Sequence, residues 1–231
     1  MHIELFNELL NAAKPYYPES DPSHDWNHIC RVFTYAHKLQ AAEGGDLDII
    51  TAGALFHDCV NLPKNHPQSS KSAELSALTA QGELMAISGF PQDKIPDVMK
   101  AISEHSFSKG LKPSSLESAI VQDADRLEST GVIALMRTFA SCGNMGRAMF
   151  NWQDPFCETR EPDPKNFGFD LIYSRLLQVS KHLNTNTAKE IAKDSDKRVS
   201  EFAKLFKEEI EIFPTNSTHW NDKLDEPSLE I

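Results

Sequence analysis

The amino-acid sequence predicts an all-α fold, a single helical bundle of roughly nine helices, from three observations. Apolar residues recur every three or four positions in nearly every segment, as they do along one face of an α-helix. No segment shows the strict alternation of apolar and polar residues that is typical of a half-buried β-strand. Short stretches rich in Gly, Pro, Ser and Asp separate the periodic segments.

The helices are predicted from these periodic segments and from the residues that interrupt them. They span residues 2–14, 24–43, 47–57, 70–87, 94–105, 114–127, 131–141, 172–183 and 187–210. Pro15 ends the first helix and Gly44-Gly45 ends the second, because proline and glycine interrupt a helix at these positions. Asp46 is the expected N-cap of the third helix.

Two later helices carry the Ser/Thr-x-x-Glu pattern of a capping box at their starts, in residues 114–117 and 187–190. Between them, residues 151–166 are predicted to be irregular, since they hold three prolines and four acidic residues. Helical periodicity resumes directly afterwards. The sequence therefore predicts one domain over residues 1–213, with its core in 20–130, followed by a polar acidic tail over 214–231.

Composition and charge exclude several classes of partner. The net charge of −11 argues against a nucleic acid or an anionic membrane, whose own charge would repel the protein. A small anionic substrate remains compatible, because a metal ion can reverse the local field. The four cysteines are scattered and form no C-x-x-C pair, which is typical of reduced thiols. With no signal peptide or membrane span, the predicted location is cytoplasmic.

The strongest local feature is His57-Asp58, the HD dyad, at the end of the apolar run Ala54-Leu55-Phe56. Neighbouring residues on a helix point about 100° apart, so the two side chains can reach one point only near a helix end. Asn61 and Pro63 follow at once and predict that end. We therefore expect the dyad to share one divalent metal ion.

Further ligands have to come from other segments. His24 and His28 stand one helical turn apart, and His28 lies beside the apolar stripe of its helix. Asp123 and Asp125 follow an apolar pair, where carboxylates are costly unless they are paired or bound to metal. Two positions apart on a helix, these aspartates point in different directions, so only one is expected to be a ligand.

Together these segments resemble the HD-domain metal-dependent phosphohydrolases. The matching elements are H-x-x-R-V at residues 28–32, the HD dyad and A-D-R-L at residues 124–127. The chain is more closely similar to the bacterial HD hydrolases of the YedJ/YpgQ type, in LFHDCVNLPKNHPQSS, SEHSFS and QDADRLESTGVIAL. The similarity covers roughly residues 20–210, most of the fold.

The resemblance implies a metal site and a reaction. The implied ligands are His28, His57, Asp58 and Asp125, with Asp123 left to orient a ligand histidine. Such a mixed nitrogen and oxygen set suits Mn²⁺, the preferred candidate, and also Mg²⁺, Fe²⁺, Co²⁺ or Ni²⁺. The implied reaction is hydrolysis of a phosphate ester or anhydride bond in a small phosphorylated substrate, expected to be a nucleotide, by metal-activated water.

Catalytic and substrate-binding roles are predicted for several residues besides the metal ligands. The catalytic candidates are Asp58, His24 and His105; the substrate-binding candidates are Lys64, His66, Lys71, Lys109 and Arg126. His24 matches a general acid of the more distantly related cyclic-nucleotide phosphodiesterases, but it could equally be an exposed residue at a helix start. For any single residue of the loop after the dyad, a solvated side chain is the simpler interpretation, but the position beside the dyad favours a phosphate contact for Lys64 and Lys71.

The chain departs from one family pattern, and the general base and the function class have alternatives. The HD hydrolases that act on ppGpp carry an acidic pair just after the dyad, where this chain has residues Val60 to Leu62. The general base is therefore unassigned, with Glu74 and Glu104 as alternatives to a metal-bound hydroxide. The competing functions are an HD-fold di-iron oxygenase and a non-catalytic nucleotide sensor. The sequence is compatible with a homodimer and does not fix the oligomeric state.

Overall fold

The computed structural model describes residues 1–17, 25–62, 66–106 and 110–212, and it is all-helical as predicted. The helices are α1 (Ile3–Ala13), α2 (Trp26–Glu43), α3 (Leu47–Phe56), α4 (Ser72–Ala86), α5 (Ile95–Glu104), α6 (Leu116–Leu127), α7 (Gly131–Asn144), α8 (Asp170–Ser174) and α9 (Asn186–Ile210). Within these ranges no β-strand is found, and the one β-bridge, between Ala148 and Phe167, is isolated.

Helix α3 is the central element of the bundle. Every residue from 49 to 56 is buried, because α2, α5 and α6 pack around it. A helix that is apolar all round is stable only when it is covered on all sides. The HD dyad follows α3 directly, so the burial of this helix carries His57 into the interior of the bundle.

The starts of α2 and α3 are held by aspartate caps. The Asp25 carboxylate accepts from the backbone N–H of His28 at 2.8 Å, and α2 begins at Trp26, two residues after the predicted start. The predicted cap Asp46 is confirmed, since it accepts from the backbone N–H of Asp48 at 2.9 Å. Each cap satisfies N–H groups that the first helical turn leaves without partners.

Both predicted capping boxes are wrong, and so is the length of the eighth helix. Ser115 alone caps α6, while Glu117 accepts from the backbone N–H of Asp46 at 3.0 Å. Helix α9 is capped by Thr185, two residues before the predicted box. In both cases a contact with another element outweighs the local pattern, since the backbone N–H of Thr187 donates to the Glu43 carboxylate of α2. The apolar spacing over 172–183 belongs to the short α8 and to a 3₁₀ segment, Leu176–His182.

The C-terminal part of the described chain has its own apolar cluster. Phe169 packs against Phe202 and Phe206 of α9, at ring-centroid distances of 6.4 and 4.7 Å. Beside it lies an ion pair between the fully buried Asp170 and the partly buried Arg160, in which Arg160 Nη2 donates to Asp170 at 2.8 Å. Residues 151–166 are irregular, as predicted. The predicted tail lies outside the described residues, and the domain limits stay a prediction.

Among the described helices, none combines the length and the apolar character that spanning a lipid bilayer would require. The location and the oligomeric state stay predictions.

The close approach of α3 and α6 gives a test of this packing. A Cβ atom on Gly53 would lie only 2.9 Å from Val121 Cγ2 of α6, so Gly53→Ala forces two buried helices apart. We expect the free energy of unfolding to fall by about 1–3 kcal/mol, as is usual for overpacking. Chemical denaturation followed by circular dichroism measures it.

Gly82→Ala is the matched control. Gly82 lies in the middle of α4, is exposed, and would place its new Cβ more than 4 Å from any neighbour. The helical propensity of alanine should then raise the free energy of unfolding by about 0.5–1 kcal/mol. Equal effects of the two substitutions would contradict the α3–α6 contact.

Candidate metal centre

Five polar side chains from four helices converge at one end of the bundle. His28 lies in the first turn of α2, and His57 is the C-cap of α3, with Asp58 next to it. His105 is the C-cap of α5, and Asp125 lies in the last turn of α6. The prediction that the HD dyad stands at a helix end is confirmed.

The donor atoms form two overlapping groups. His28, His57 and Asp125 make one, and His57, Asp58 and His105 make the other; within each group all ligand atoms lie within 4.8 Å. Asp125 Oδ1 is 3.7 Å from the Nε2 atoms of both His28 and His57. Ligands of one ion, each about 2.1 Å from it, are separated by up to about 4.2 Å. These separations therefore suit a shared cation.

The orientation of the histidines is set through their Nδ1 atoms. Nδ1 of His57 donates to the carbonyl of Ala54 at 2.9 Å, and Nδ1 of His105 to that of Ile102 at 2.6 Å. A carbonyl oxygen only accepts, so each Nδ1 carries a proton. In the neutral His57 ring the lone pair is therefore on Nε2, which faces the cluster in the tautomer that a metal ligand requires. Nε2 of His105 faces Asp58 Oδ1 at 3.3 Å, an acceptor for a proton on that nitrogen.

Burial and neighbouring charges define the protonation states. Burial lowers the pKa of His57 to about 4, so its imidazole is neutral near pH 7. Burial also opposes protonation of His105, but the hydrogen bond to Asp58 outweighs it and raises the His105 pKa. Burial would raise the pKa of Asp125, yet the His57 and His105 imidazoles hold it below its usual range. The site therefore presents an anionic carboxylate, that of Asp125, beside the neutral nitrogen of His57.

A divalent cation fits these residues. Among the described atoms, Nε2 of His57 is buried and has no hydrogen-bond partner, which is costly unless another group uses the lone pair. Two imidazole nitrogens and two carboxylates form a mixed donor set that first-row divalent metals accept. The cluster therefore has the composition, the spacing and the charge of a metal site.

Comparison with known proteins places this site in a family. Residues 25–130 match the model of the HD domain. The Lin1889 protein of Listeria innocua is 30% identical, with a TM-score of 0.70 over 91% of this chain and 98% of its own. The chain belongs to the HD-domain family.

Two further relatives agree with the assignment. An HD-superfamily hydrolase of Bacillus thuringiensis is 28% identical, with a TM-score of 0.69 over 89% of this chain and 96% of its own. The uncharacterized YpgQ of Bacillus subtilis is 25% identical over 196 residues, 83% of this chain and 87% of its own. A crystal structure of YpgQ was determined in complex with ADP. The resemblance to YpgQ-type HD proteins is thus confirmed.

The HD-domain fold separates the two competing aspartates. Asp125 faces the cluster, whereas Asp123 is fully buried and faces the start of α9. The Asp123 carboxylate accepts from the backbone N–H of Asn184 at 2.9 Å and of Thr185 at 2.7 Å, and from the Thr185 hydroxyl at 2.8 Å. The expectation that Asp123 orients a ligand histidine is therefore wrong, because its oxygens hold a backbone turn.

The remaining predicted residues lie in three different situations. His24, Lys64 and Lys109 fall outside the described residues. Lys71 is exposed at the end of a 3₁₀ turn before α4, and His66 is exposed and accepts from the backbone N–H of Gln68. The roles of these five residues stay predictions.

Arg126, which was predicted to contact phosphate, is buried in the structure. Its Nη1 donates to the carbonyl of His182. This contact ties α6 to the 3₁₀ segment, and a role of Arg126 in substrate binding stays a prediction. Glu104, one of the alternatives for the base, binds the hydroxyl of Ser114 at 2.7 Å and holds the loop before α6.

Sequence reasoning missed two charged residues beside the cluster. One is Glu128, whose carboxylate lies 3.3 Å from Nδ1 of His28. The other is Arg175, between α8 and the 3₁₀ segment, which is close enough to Asp125 for their charges to interact. Spacing could have indicated Glu128, one turn after Asp125, but Arg175 lies about fifty residues away in the chain and no local pattern marks it.

Proposed function

We propose that this HD-domain protein is a metal-dependent phosphohydrolase that acts on a nucleotide or a related small phosphorylated substrate. The observation that carries the proposal is the convergence of imidazole and carboxylate donors from four helices into one cluster. The ADP complex of the relative YpgQ supports a nucleotide as the ligand. The Bacillus thuringiensis relative is an HD-superfamily hydrolase, which supports the reaction class.

His28, His57, Asp58 and Asp125 would hold the cation, for which Mn²⁺ is the preferred candidate. When bound, a divalent cation lowers the pKa of a coordinated water and polarises a phosphate oxygen. On an ion that takes six ligands, these four side chains would leave positions for solvent and one substrate oxygen.

His105 would handle a proton on the same side of the cluster. Its Nε2 lies 3.3 Å from Asp58 Oδ1, and the Asp58 carboxylate raises the His105 pKa against the opposing effect of burial. The ring therefore keeps a proton on Nε2 to higher pH than an ordinary histidine does. From this atom it can be donated to the leaving oxygen of the substrate.

Arg175 would bind a phosphate group of the substrate. Its side chain is exposed, yet the surrounding protein lowers its pKa, as happens for a cation that lines a cleft. The nearby Asp125 carboxylate acts against this effect and raises the Arg175 pKa, so the two groups are neighbours. Within the described ranges, no hydrogen bond or ion pair is found for this guanidinium. Guanidinium groups bind phosphate oxygens in pairs, which suits this position.

We expect Arg175→Ala to raise KM for the substrate about 10- to 100-fold. The reason is that a charge-assisted hydrogen bond contributes about 1.5–3 kcal/mol, which the variant loses. Steady-state kinetics with the best nucleotide measures the effect. Arg175→Lys should recover part of it, because the charge returns without the planar donor pair. Arg198→Ala, on the exposed side of α9, is the control. Unchanged KM in Arg175→Ala would remove this residue from the substrate site.

The test of the proposal is a screen for released phosphate and pyrophosphate. Nucleoside mono-, di- and triphosphates are incubated with the protein and Mn²⁺, Mg²⁺, Co²⁺ or Ni²⁺ in turn. Release that EDTA stops and that Mn²⁺ restores is the expected result. Tight nucleotide binding without turnover would support a sensor instead, and two irons per chain with dioxygen consumption would support an oxygenase.

A further inference from the structure

Glu128, the C-cap of α6, places a carboxylate in the interior beside the candidate metal centre. The side chain is only 1% exposed, so its charge has to be met by protein groups. Three groups meet it: Arg31 Nε donates at 2.9 Å, Arg137 Nη1 lies at 3.6 Å, and His28 Nδ1 lies at 3.3 Å. The carboxylate is therefore paired with two arginines and linked to a candidate ligand.

The arrangement follows from helical spacing on two facing helices. On α2, His28 and Arg31 are three residues apart and share a face, as Asp125 and Glu128 do on α6. His28 Nε2 faces Asp125 at 3.7 Å, and Arg31 faces Glu128 at 2.9 Å. The two contacts stack one turn apart, so the Glu128 carboxylate reaches the far side of the His28 ring.

His28 differs from the other two histidines of the cluster in the partner of its Nδ1 atom. His57 and His105 donate through Nδ1 to backbone carbonyls of their own helices, which have no alternative hydrogen-bonding state. Nδ1 of His28 instead contacts the Glu128 side chain, at the end of another helix. A carboxylate only accepts, so it requires the proton on Nδ1 and leaves Nε2 for the cluster.

We propose that Glu128 is a positioning residue that sets the tautomer and ring orientation of His28, and that Arg31 and Arg137 hold its carboxylate in place. The inference rests on the metal centre of the proposed function, and it adds a supporting layer that links α2, α6 and α7. The competing view is that the ion pair only ties these three helices together. The two views differ in what happens to metal affinity and to the His28 ring.

The experiment uses Glu128→Gln, which keeps the volume but replaces the carboxylate by a group that both donates and accepts. Titration calorimetry with Mn²⁺ alone should show about 10- to 100-fold weaker binding than in the wild-type protein, the usual effect of removing such a partner. Arg31→Gln should weaken Mn²⁺ binding in the same direction by a smaller factor, since the carboxylate stays but is less firmly held.

Asp170→Asn is the matched control for lost stability. Asp170 is also a fully buried carboxylate with an arginine partner, Arg160, but it belongs to the C-terminal cluster. We expect it to lower the melting temperature while leaving Mn²⁺ affinity within about twofold of wild type, a difference below 0.5 kcal/mol. Equal Mn²⁺ affinities in Glu128→Gln, Arg31→Gln and Asp170→Asn would overturn the proposal in favour of the purely structural view.

A second measurement needs no metal, so it tests the role of Glu128 independently of the proposed function. Long-range ¹H–¹⁵N spectra of the metal-free protein report which nitrogen of each histidine carries the proton, and the His28 signals are those lost in His28→Gln. We expect His28 protonated on Nδ1 in the wild type and a mixture of tautomers in Glu128→Gln. An unchanged tautomer would refute the role of Glu128, whereas a wild-type protein that binds no Mn²⁺ would refute the proposed function.

Discussion

His57→Ala is expected to abolish both metal binding and phosphate release while the helical circular dichroism persists. The His57 Nε2 atom belongs to both donor groups of the cluster, so its loss breaks each of them. A bound metal supplies several kcal/mol of transition-state stabilisation, so the rate should fall by about 10³-fold or more. Phosphate release and Mn²⁺ calorimetry on the same preparation measure the two effects.

His37→Ala serves as the control for this loss. His37 also lies in the bundle, on α2, but it contacts the Thr51 hydroxyl at 2.9 Å and not the cluster. It should keep Mn²⁺ affinity and turnover close to those of the wild type. If His57→Ala retained substantial hydrolysis under conditions that EDTA stops in the wild type, the metal centre would have to be sought elsewhere in the chain.

Asp123→Ala is expected to be the most destabilising single change considered for this protein. It would leave the backbone N–H groups of Asn184 and Thr185 and the Thr185 hydroxyl without their acceptor. Each buried group left unsatisfied costs about 1–3 kcal/mol, so we expect a loss of about 3 kcal/mol or more. At about 2–4 °C per kcal/mol for a chain of this size, the melting temperature should fall by about 6–12 °C.

Asp125→Ala, two residues further along α6, is expected to affect metal binding rather than stability. Its carboxylate is partly exposed and faces the cluster, so its removal should cost little stability but should eliminate tight Mn²⁺ binding. Asp123→Ala, measured below its melting temperature, should still bind Mn²⁺. An exchange of these two results would make Asp123 the ligand and Asp125 the structural anchor.

Most of the helical framework could be predicted from the sequence because helix formation in this chain depends on local, periodic signals. The nine predicted helices correspond to α1–α9 within the described residues, although α8 is shorter than expected. The Asp46 cap and the position of His57 at a helix end were also predictable, since both depend on neighbours a few residues away. The family resemblance rested on the same short segments.

The failures share one physical cause. Glu117 fits a capping box in its own helix, but in the folded protein its carboxylate binds the backbone N–H of Asp46. Asp123 and Asp125 are equivalent polar residues in the sequence, and only the packing of the α9 start against α6 distinguishes them. Arg175 reaches Asp125 through a return of the chain that no periodicity indicates.

The sequence by itself therefore determined which segments are helical and which polar residue types are available for a metal centre. The tertiary structure decided which of those residues meet, which ring nitrogen of His57 and His105 faces the cluster, and which carboxylate stands behind His28. The reason is that helical periodicity acts over one or two turns, whereas the HD dyad gains its ligand partners only when α2, α5 and α6 pack around α3.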